Sequence, residues 1–406
     1  GGQMGMEKKE IDFGKRFGMG GLRFPLLDPD DQMSIDYDTL NVMIDKFMAA
    51  GYRYFDTSYI YHGELSESAL GRCLVDRYPR DSFLLSTKMP IKFMKKKEDM
   101  ETIFEEQLKK CHVDYFDFYL IHSIGREAYE NCKKWDTFEF LKQKRAEGKF
   151  REFGVSLHDS PEFLDEILTE HPEIDFVVEQ LNYIDWNNPG IRSKEIYEVA
   201  VKHGKPVVVM EAIKGGTLVN IPEEAQKLMK DYNPDASIAS WALRFVGSLP
   251  GVRVVLAGMP KMEFLDDNLK TFNDFKPLNE EEYKIIDQVV DIINSKVAIP
   301  CTYCRYCEVQ CPKNIDIPDY FALYNDLNRL RLDDPSLPQT QTFYYMNYME
   351  QGRGPASACI GCKKCEKVCP QHLPIIDYLK DYVYKDIECY NPEANIAAMK
   401  EKHKHD

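Results

Sequence analysis

Short apolar runs rich in Val, Ile, Phe and Tyr alternate along residues 12–275 with longer stretches whose apolar side chains recur at helical spacing. Runs of four to eight such residues are typical of buried strands, and apolar residues three or four positions apart are typical of amphipathic helices. This pattern predicts eight strands, at Arg16–Gly21, Tyr52–Ser58, Phe83–Lys88, Phe116–Ser123, Arg151–Leu157, Phe176–Asn182, Lys205–Ala212 and Val252–Gly258.

Helices are predicted between these strands, for example at Ser66–Val75, Asp99–Cys111, Asp136–Glu147 and Ser193–His203. Regular strand–helix alternation indicates a parallel sheet with crossover helices. Eight units in about 260 residues favour an α/β fold of the (β/α)8 TIM-barrel type over an open doubly wound sheet. No G-x-G-x-x-G motif follows the first strand, which also disfavours a dinucleotide-binding doubly wound sheet.

Eight of the twelve cysteines form two runs near the C-terminus, each reading C-x2-C-x2-C-x3-C-P. Four thiolates at this spacing can surround iron, and in two-cluster proteins the fourth cysteine of each run usually ligates the other cluster. Zinc is the alternative, but zinc ribbons use separated C-x2-C pairs. We therefore predict two [4Fe–4S] clusters. Their expected ligand sets are Cys301, Cys304, Cys307 and Cys369 for one cluster, and Cys359, Cys362, Cys365 and Cys311 for the other.

The other four cysteines (Cys73, Cys111, Cys132 and Cys389) are isolated and are predicted to be buried small hydrophobic residues. The two cysteine runs resemble bacterial two-cluster ferredoxins. Helical stretches at Pro318–Leu332 and Phe343–Glu350 are closer to the helical ferredoxin domains of respiratory and heterodisulfide-reductase-type proteins.

The domain organisation follows from the change of pattern after Pro277, where Glu280–Ile293 reads as one amphipathic helix. We expect a tag-derived, disordered start at 1–11, the barrel at 12–276 and a connecting helix at 277–299. A mainly helical ferredoxin-like iron–sulfur domain is expected at 300–386, and a charged, frayed tail at 387–406.

The amino-acid composition limits the classes of molecule that this protein is expected to bind. Hydrophobic residues make up 44% of the chain and charged residues 29%, an ordinary globular balance, and the formal net charge is −15. A surface this acidic repels phosphate backbones and anionic lipids, so we expect no nucleic-acid partner and no membrane partner. No apolar run approaches the roughly 20 residues that a membrane helix needs. With no signal peptide recognised, we expect a cytoplasmic protein.

Four residues with complementary chemistry follow successive predicted strands. Asp56 ends the second strand, Tyr61 follows in the next loop, Lys88 ends the third and His122 ends the fourth. Barrel active sites lie at the carboxyl ends of the strands, so these side chains are expected to face one mouth. Lys88 can lower the pKa of the Tyr61 phenol, Asp56 can hold Lys88 charged, and His122 can donate to a substrate oxygen.

These residues, with the flanking D-T-S-x-x-Y motif and the G-V-S sequence at Gly154–Ser156, resemble the catalytic tetrad of the aldo-keto reductase family. The resemblance covers roughly residues 12–275. The whole chain resembles the branch, found in anaerobes, that carries a C-terminal 4Fe–4S ferredoxin-like domain. The resemblance implies hydride transfer from NADH or NADPH to a carbonyl carbon, with Tyr61 as the general acid.

The resemblance also implies nicotinamide-binding positions. They are Ser156 and Gln180 for the carboxamide, Met210 for the ring face, Gly215, Gly216 and Leu218 for the pyrophosphate, Gly258 in the loop after the eighth strand, and Asp267 with Asn268 for the adenine.

The chain departs from the family pattern at three places. After Ser156, the serine that matches the family's, the family often has Asn, whereas this chain has Leu157 followed by His158. Met210 replaces the aromatic residue that stacks on the nicotinamide ring in the family. The basic residues that hold the adenosine 2′-phosphate are replaced by Gly258, Met259 and Phe264, which leaves only Lys261 nearby. A phosphate dianion binds poorly without Arg or Lys, so the choice between NADH and NADPH stays open.

Three functions remain as alternatives. The first is a nicotinamide-dependent carbonyl reductase or alcohol dehydrogenase. The second is a reductase that receives single electrons through its clusters from a ferredoxin or flavodoxin and passes them to a substrate in the barrel. The third is a redox-sensing subunit without catalysis. Specificity in such barrels comes from loops, here Phe93–Lys97, Gly125–Trp135 and the edge of the cluster domain. Polar and aromatic residues in or beside those loops (Lys92, Lys95, Arg126, Tyr129 and Trp135) could suit a polar, sugar-like or aromatic carbonyl compound.

Overall fold

Eight parallel strands close into a barrel in the computed structural model, which describes residues 10–330 and 339–404. Each strand pairs with the next in chain order, and the eighth returns to the first, where Met19 lies opposite Ala257. The strands are β1 (Phe17–Gly20), β2 (Tyr54–Asp56), β3 (Leu84–Met89), β4 (Phe116–Ile121), β5 (Phe150–Leu157), β6 (Phe176–Gln180), β7 (Val207–Met210) and β8 (Val252–Ala257). The predicted TIM-barrel fold is confirmed.

Alternate side chains of the strands fill the inside of the barrel. Tyr54, Phe118, Phe176 and Val254 meet there in one buried cluster. Gly154 leaves room for this packing, because a Cβ at that position would lie 2.5 Å from the Phe176 ring. The opposite faces of the strands pack against the surrounding helices, which is why the strands read as nearly continuous apolar runs.

Helices cover the outside of the barrel in the described residues. They are α1 (Tyr37–Ala49), α2 (Ser66–Leu70), α3 (Asp99–Lys110), α4 (Arg126–Lys134), α5 (Thr137–Ala146), α6 (Pro161–Glu170), α7 (Ser193–Lys202), α8 (Glu223–Tyr232), α9 (Ile238–Gly247), α10 (Met262–Asn273) and α11 (Glu280–Asn294). The helix predicted at Ser66–Val75 continues from α2 into a π-helical segment, Gly71–Val75.

The connecting helix α11 packs on the barrel. Asn279 closes its amino end with a capping box, and Ile286, Val289 and Ile293 enter the barrel's hydrophobic core. Arg244 of α9 also forms a bidentate ion pair with Glu282. This helix therefore belongs structurally to the barrel.

The cysteine-rich segment forms a second, helical unit. Its helices are α12 (Ile317–Leu330), α13 (Thr340–Glu350), α14 (Lys364–Val368), α15 (Ile375–Tyr378), a π-helical segment at Leu379–Glu388, and α16 (Pro392–His403). Its own core includes Phe321, Tyr345 and Val383, and Ile191 of the barrel joins that core. The cluster domain is thus packed directly against the barrel.

Two expectations for the C-terminal part are wrong. The tail that was expected to fray contains α16, whose amino end is capped by Asn391 and whose side chains reach the barrel through Lys95–Glu393 (3.1 Å) and His403–Asp31 (2.6 Å). Cys389 is exposed, because it follows the π-helical segment on its solvent side, whereas the other three isolated cysteines are buried as predicted. The expected disordered start lies, up to residue 9, outside the described residues.

Candidate active site

The four tetrad residues come together at the carboxyl end of the barrel. Asp56 ends β2 and Lys88 lies in β3, so neighbouring parallel strands bring the two side chains side by side. Lys88 Nζ donates to Asp56 Oδ2 at 2.9 Å and to the Tyr61 hydroxyl at 3.2 Å. The Tyr61 and His122 rings lie 5.8 Å apart, and His122 Nδ1 is 3.1 Å from Ser58 Oγ.

Burial sets the protonation of these groups. It raises the pKa of Tyr61 above 10, although Lys88 opposes that rise. Burial lowers the pKa of Lys88, but Asp56 and Tyr61 more than offset this, so the net pKa is raised and the ammonium is kept. Burial, followed by the charge of Lys88, holds the pKa of His122 well below 6.5. At neutral pH the site therefore combines a protonated phenol, a lysine cation and a neutral imidazole.

A cavity of about 460 Å³ opens above the tetrad. Its floor includes Asp56, Tyr61 and His122, and its wall on the β7–β8 side includes Met210 and Gly258. A larger cleft of about 1010 Å³ lies at the opposite, amino end of the strands, beside Phe13 and Arg16. Because barrel enzymes place their chemistry at the carboxyl end, the cavity above the tetrad is the candidate active site.

The cofactor positions that the resemblance implies divide into two groups. Met210, Gly215 and Gly258 line the cavity. The other six are not among its lining residues: Ser156, Gln180, Gly216, Leu218, Asp267 and Asn268. For all nine, the role in nicotinamide binding stays a prediction.

Several residues of the second group are already engaged in hydrogen bonds or packing contacts within the protein. Ser156 Oγ accepts from the Ser123 amide at 2.8 Å, and Leu218 is buried in the barrel core. Gln180 Nε2 donates to Asp185 Oδ2 at 2.8 Å, while its buried Oε1 has no partner among the described residues. Asp267 accepts from Ser237 Oγ at 2.7 Å.

Sequence reasoning missed several polar residues on the cavity wall as site residues, among them Arg23, His158 and Glu211. Arg23 follows β1 and His158 follows β5, so their positions beyond strand ends were the available signal. Of the five polar and aromatic residues singled out for the substrate loops, only Lys92 lines the cavity. Tyr129 and Trp135 are buried, and Arg126 is paired with Glu166.

The cluster domain covers one side of the cavity. Leu327 of α12 and Phe343 of α13 contribute to the wall. Asn347 of α13 accepts from Lys92 Nζ at 3.1 Å and donates to the His158 carbonyl at 2.7 Å. A Cβ at Gly125 would lie 2.0 Å from Asn347 Oδ1, so the close approach of α13 requires this glycine. The site is therefore built from both parts of the chain.

A buried triad of charges joins the two parts. Lys214, in the loop after β7, lies 2.6 Å from Asp185 Oδ1 and 2.7 Å from Asp326 Oδ1 of α12, and all three side chains are 0% exposed. Gln180 and Asn182 also donate to Asp185, and Gln341 of α13 donates to Asp326. The loop that the resemblance assigns to the pyrophosphate is thus anchored to the cluster domain.

The eight motif cysteines form two groups of four. Cys301, Cys304, Cys307 and Cys369 line one small cavity of the cluster domain, and Cys311, Cys359, Cys362 and Cys365 line another. These are the interleaved sets expected from the spacing. In the described part of the chain, no three His, Cys, Asp or Glu side chains converge on a single metal ion. Four soft sulfur donors around a cavity fit a [4Fe–4S] cluster, whose irons are held by separate thiolates.

Comparison with known proteins defines the class. Residues 16–291 match the model of the aldo/keto reductase family, and residues 300–373 match that of the 4Fe-4S dicluster domain. The chain belongs to the aldo/keto reductase family and carries a C-terminal 4Fe–4S domain; it is an oxidoreductase. Membership of an enzyme family argues against the non-catalytic alternative.

Individual relatives are distant. An aldehyde reductase of Saccharomyces cerevisiae is 25% identical over 300 residues, covering 68% of this chain and 90% of the relative. An uncharacterized oxidoreductase of Bacillus subtilis is 24% identical over 274 residues, covering 60% and 85%. An aldo-keto reductase from Klebsiella pneumoniae in complex with NADPH has a TM-score of 0.54 at 20% identity, covering 68% and 90%, and supports the fold alone.

Within the described ranges, no helix has the length and apolar character needed to cross a bilayer.

Proposed function

We propose that this protein reduces a small carbonyl substrate, or oxidises the corresponding alcohol, with NADH or NADPH as the hydride source. The observation that carries the proposal is the contact of Lys88 with both Asp56 and Tyr61 at the floor of a cavity that His122 also lines. This arrangement supplies a proton donor beside a neutral hydrogen-bond donor.

The cavity has features that fit a dinucleotide on its β7–β8 side. Arg23 packs along Gly258, where an added Cβ would lie 2.8 Å from Arg23 Cβ. Its guanidinium forms no ion pair with any described residue, so it can face an anion. Gly215, with φ of 64°, turns the backbone at the same wall. Arg23 would hold the pyrophosphate, and Gln180, whose buried Oε1 accepts no hydrogen bond in the described structure, would accept one from the carboxamide.

The nicotinamide, when bound, supplies the hydride. Tyr61 then gives its phenolic proton to the carbonyl oxygen, and the nearby Lys88 ammonium stabilises the phenolate that remains. His122, kept neutral by burial, orients the carbonyl oxygen through a hydrogen bond. Phe343 and Leu327 of the cluster domain limit the access of water to these groups.

A second function is favoured by the position of the cluster domain on the cavity wall. In this alternative, a ferredoxin or flavodoxin passes single electrons to two [4Fe–4S] clusters held by the two cysteine sets. Two electrons reach a carbonyl substrate in the cavity; Tyr61 gives one proton, and the neutral His122 relays the second from water. The buried contacts of α12 and α13 with the barrel support a connection between the two parts of the chain.

An anaerobic titration of the cluster-loaded protein with NADH and with NADPH tests the proposal. Nicotinamide fluorescence reports binding, and cluster absorbance is followed in the same cuvette. Tight binding of one nucleotide, with an Arg23→Met variant binding at least tenfold more weakly, supports the reductase and its phosphate site. Absence of binding by both nucleotides contradicts it and favours the ferredoxin- or flavodoxin-fed reductase. Cluster bleaching on binding would place the clusters on the electron path.

A further inference from the structure

Lys92 lies on the cavity wall and forms no ion pair with a described carboxylate, although Glu350, Asp159 and Glu127 act on its charge at longer range. It follows β3, two strands along the barrel from β1 and Arg23, and lies partly buried. Its Nζ donates to Asn347 Oδ1 at 3.1 Å and sits 4.9 Å from the centre of the Phe343 ring. No described Asp or Glu comes within 4.0 Å of it. Two of its three N–H donors therefore have no hydrogen-bond partner among the described residues.

His158 presents a second donor at the same place. Its side chain is 4% exposed, it lines the cavity, and its Nδ1 has no hydrogen-bond partner in the described structure. Burial, followed by the charge of Lys92, lowers the pKa of His158 to about 3, although the neighbouring Gln180 side chain acts to raise it, so the ring is neutral and has one N–H. A buried imidazole nitrogen without a partner is costly unless a ligand satisfies it.

Lys92 and His158 are held next to each other by α13. Both pack on Phe343, whose ring centre is 6.0 Å from that of His158. Asn347 contacts both residues, accepting from the Lys92 ammonium and donating to the His158 carbonyl. The cluster domain thus fixes an ammonium and an imidazole on the wall beside His122.

This pair suits a monoanion. A phosphate dianion calls for a second cation, and the Arg23 side chain packs beside Gly258, in the loop after β8. Glu211, also on the wall, lies in the loop after β7, on the side away from Lys92. A carboxylate can accept one hydrogen bond from Lys92 and another from His158 at once.

We infer that the carbonyl substrate carries a carboxylate, which Lys92 and His158 bind while its carbonyl oxygen lies against Tyr61 and His122. The inference rests on the proposed function for the carbonyl end of the substrate. The carboxylate end rests only on the contacts of Lys92 and His158, so it can be tested without turnover.

The experiment compares the cluster-loaded full chain with Lys92→Gln and, as matched control, Lys96→Gln. Lys96 lies in the same loop, is exposed and is not part of the cavity. The ligands are 4-oxobutanoate and butanal, which share a chain length but differ in the carboxylate. Binding is measured anaerobically by calorimetry without nucleotide, and kcat/KM is measured with the nucleotide that binds.

We expect parent and Lys96→Gln to bind 4-oxobutanoate better than butanal, and Lys92→Gln to lose at least tenfold in that preference, as loss of a charged hydrogen bond implies. Lys92→Arg, which keeps the cation, should retain most of it and covers the case in which Lys92→Gln fails to fold. Equal losses in Lys92→Gln and Lys96→Gln, or no preference for 4-oxobutanoate in the parent, would overturn the inference. Binding of 4-oxobutanoate without its reduction would refute the proposed function and leave the carboxylate site supported.

Discussion

Replacing Lys214 with Met removes the only positive charge from the buried triad of Lys214, Asp185 and Asp326. Breaking a buried ion pair by removing one partner costs about 3–5 kcal/mol, because the other charge stays buried and uncompensated. Here two carboxylates lose their shared counter-charge, with all three side chains 0% exposed. Asp185 keeps its hydrogen bonds from Gln180 and Asn182, so we expect the lower end, about 3 kcal/mol.

The unfolding temperature reports this loss. A change of 1 kcal/mol moves Tm by roughly 2–4 °C in a unit of 150–250 residues and by less in a larger one, so a decrease of about 4 °C or more is expected. Anaerobic differential scanning fluorimetry of the cluster-loaded protein measures it. The control Lys227→Met removes an exposed lysine that pairs with Asp231 on the surface, and it should change Tm by less than about 1 °C.

The loss of stability in Lys214→Met should depend on pH in a definite direction. Burial, followed by repulsion from Asp326, raises the pKa of Asp185 even with Lys214 present, and removal of the lysine raises it further. The folded variant then takes up a proton that the unfolded chain does not bind, so its deficit in Tm should shrink as the pH falls from 7.5 to 5.5.

A double variant completes the test. Lys214→Met with Asp326→Asn should recover part of the lost stability, because one of the two opposed carboxylates is gone. A Tm for Lys214→Met within 1 °C of the parent, or no recovery in the double variant, would refute the reasoning.

The remaining predictions concern the chemistry. Tyr61→Phe should lower carbonyl reduction by about 10²–10⁴-fold while leaving cluster absorbance and nucleotide affinity intact, since it removes only the proton donor; activity above a tenth of the parent would count against the tetrad. Cys304→Ser should lose about half of the iron, measured colorimetrically after anaerobic purification, if each of the two cysteine sets holds one cluster as we propose; full iron content would argue against that ligand set. His122→Gln should lower kcat/KM without changing the shape of its pH profile between pH 6 and 8, because the imidazole is neutral throughout this range; loss of an inflection in that range would show that His122 titrates during turnover.

The sequence patterns that correctly predicted structural features were local ones. Strands of a parallel barrel are buried on both faces, so each appeared as an apolar run, and its last residue indicated where chemistry lies. Asp56, Lys88 and His122 were found in this way. The cysteine sets were predictable for a related reason: ligand spacing is constrained by the cluster that the thiolates surround.

The contacts between the two parts of the chain were not predictable. Asp326 is separated by more than a hundred residues from Lys214, and Asn347 by far more from Lys92. Nothing in the pattern of α13 distinguishes a face that packs on a cavity from one that packs on another helix. The charged composition of residues 387–406 likewise concealed α16, because the contacts of that helix with the barrel depend on residues distant in the chain.

By itself, the sequence determined the barrel, the position of the tetrad at its carboxyl end and the interleaved cysteine sets, because each of these depends on periodicity or on short fixed spacings. Only the tertiary structure decided that the cluster domain forms a wall of the candidate active site, that Arg23 and Lys92 line one cavity, and that Lys214 is shared between two domains. Those features depend on how two independently patterned surfaces pack together, and packing is a property of shape and charge in space rather than of residue order.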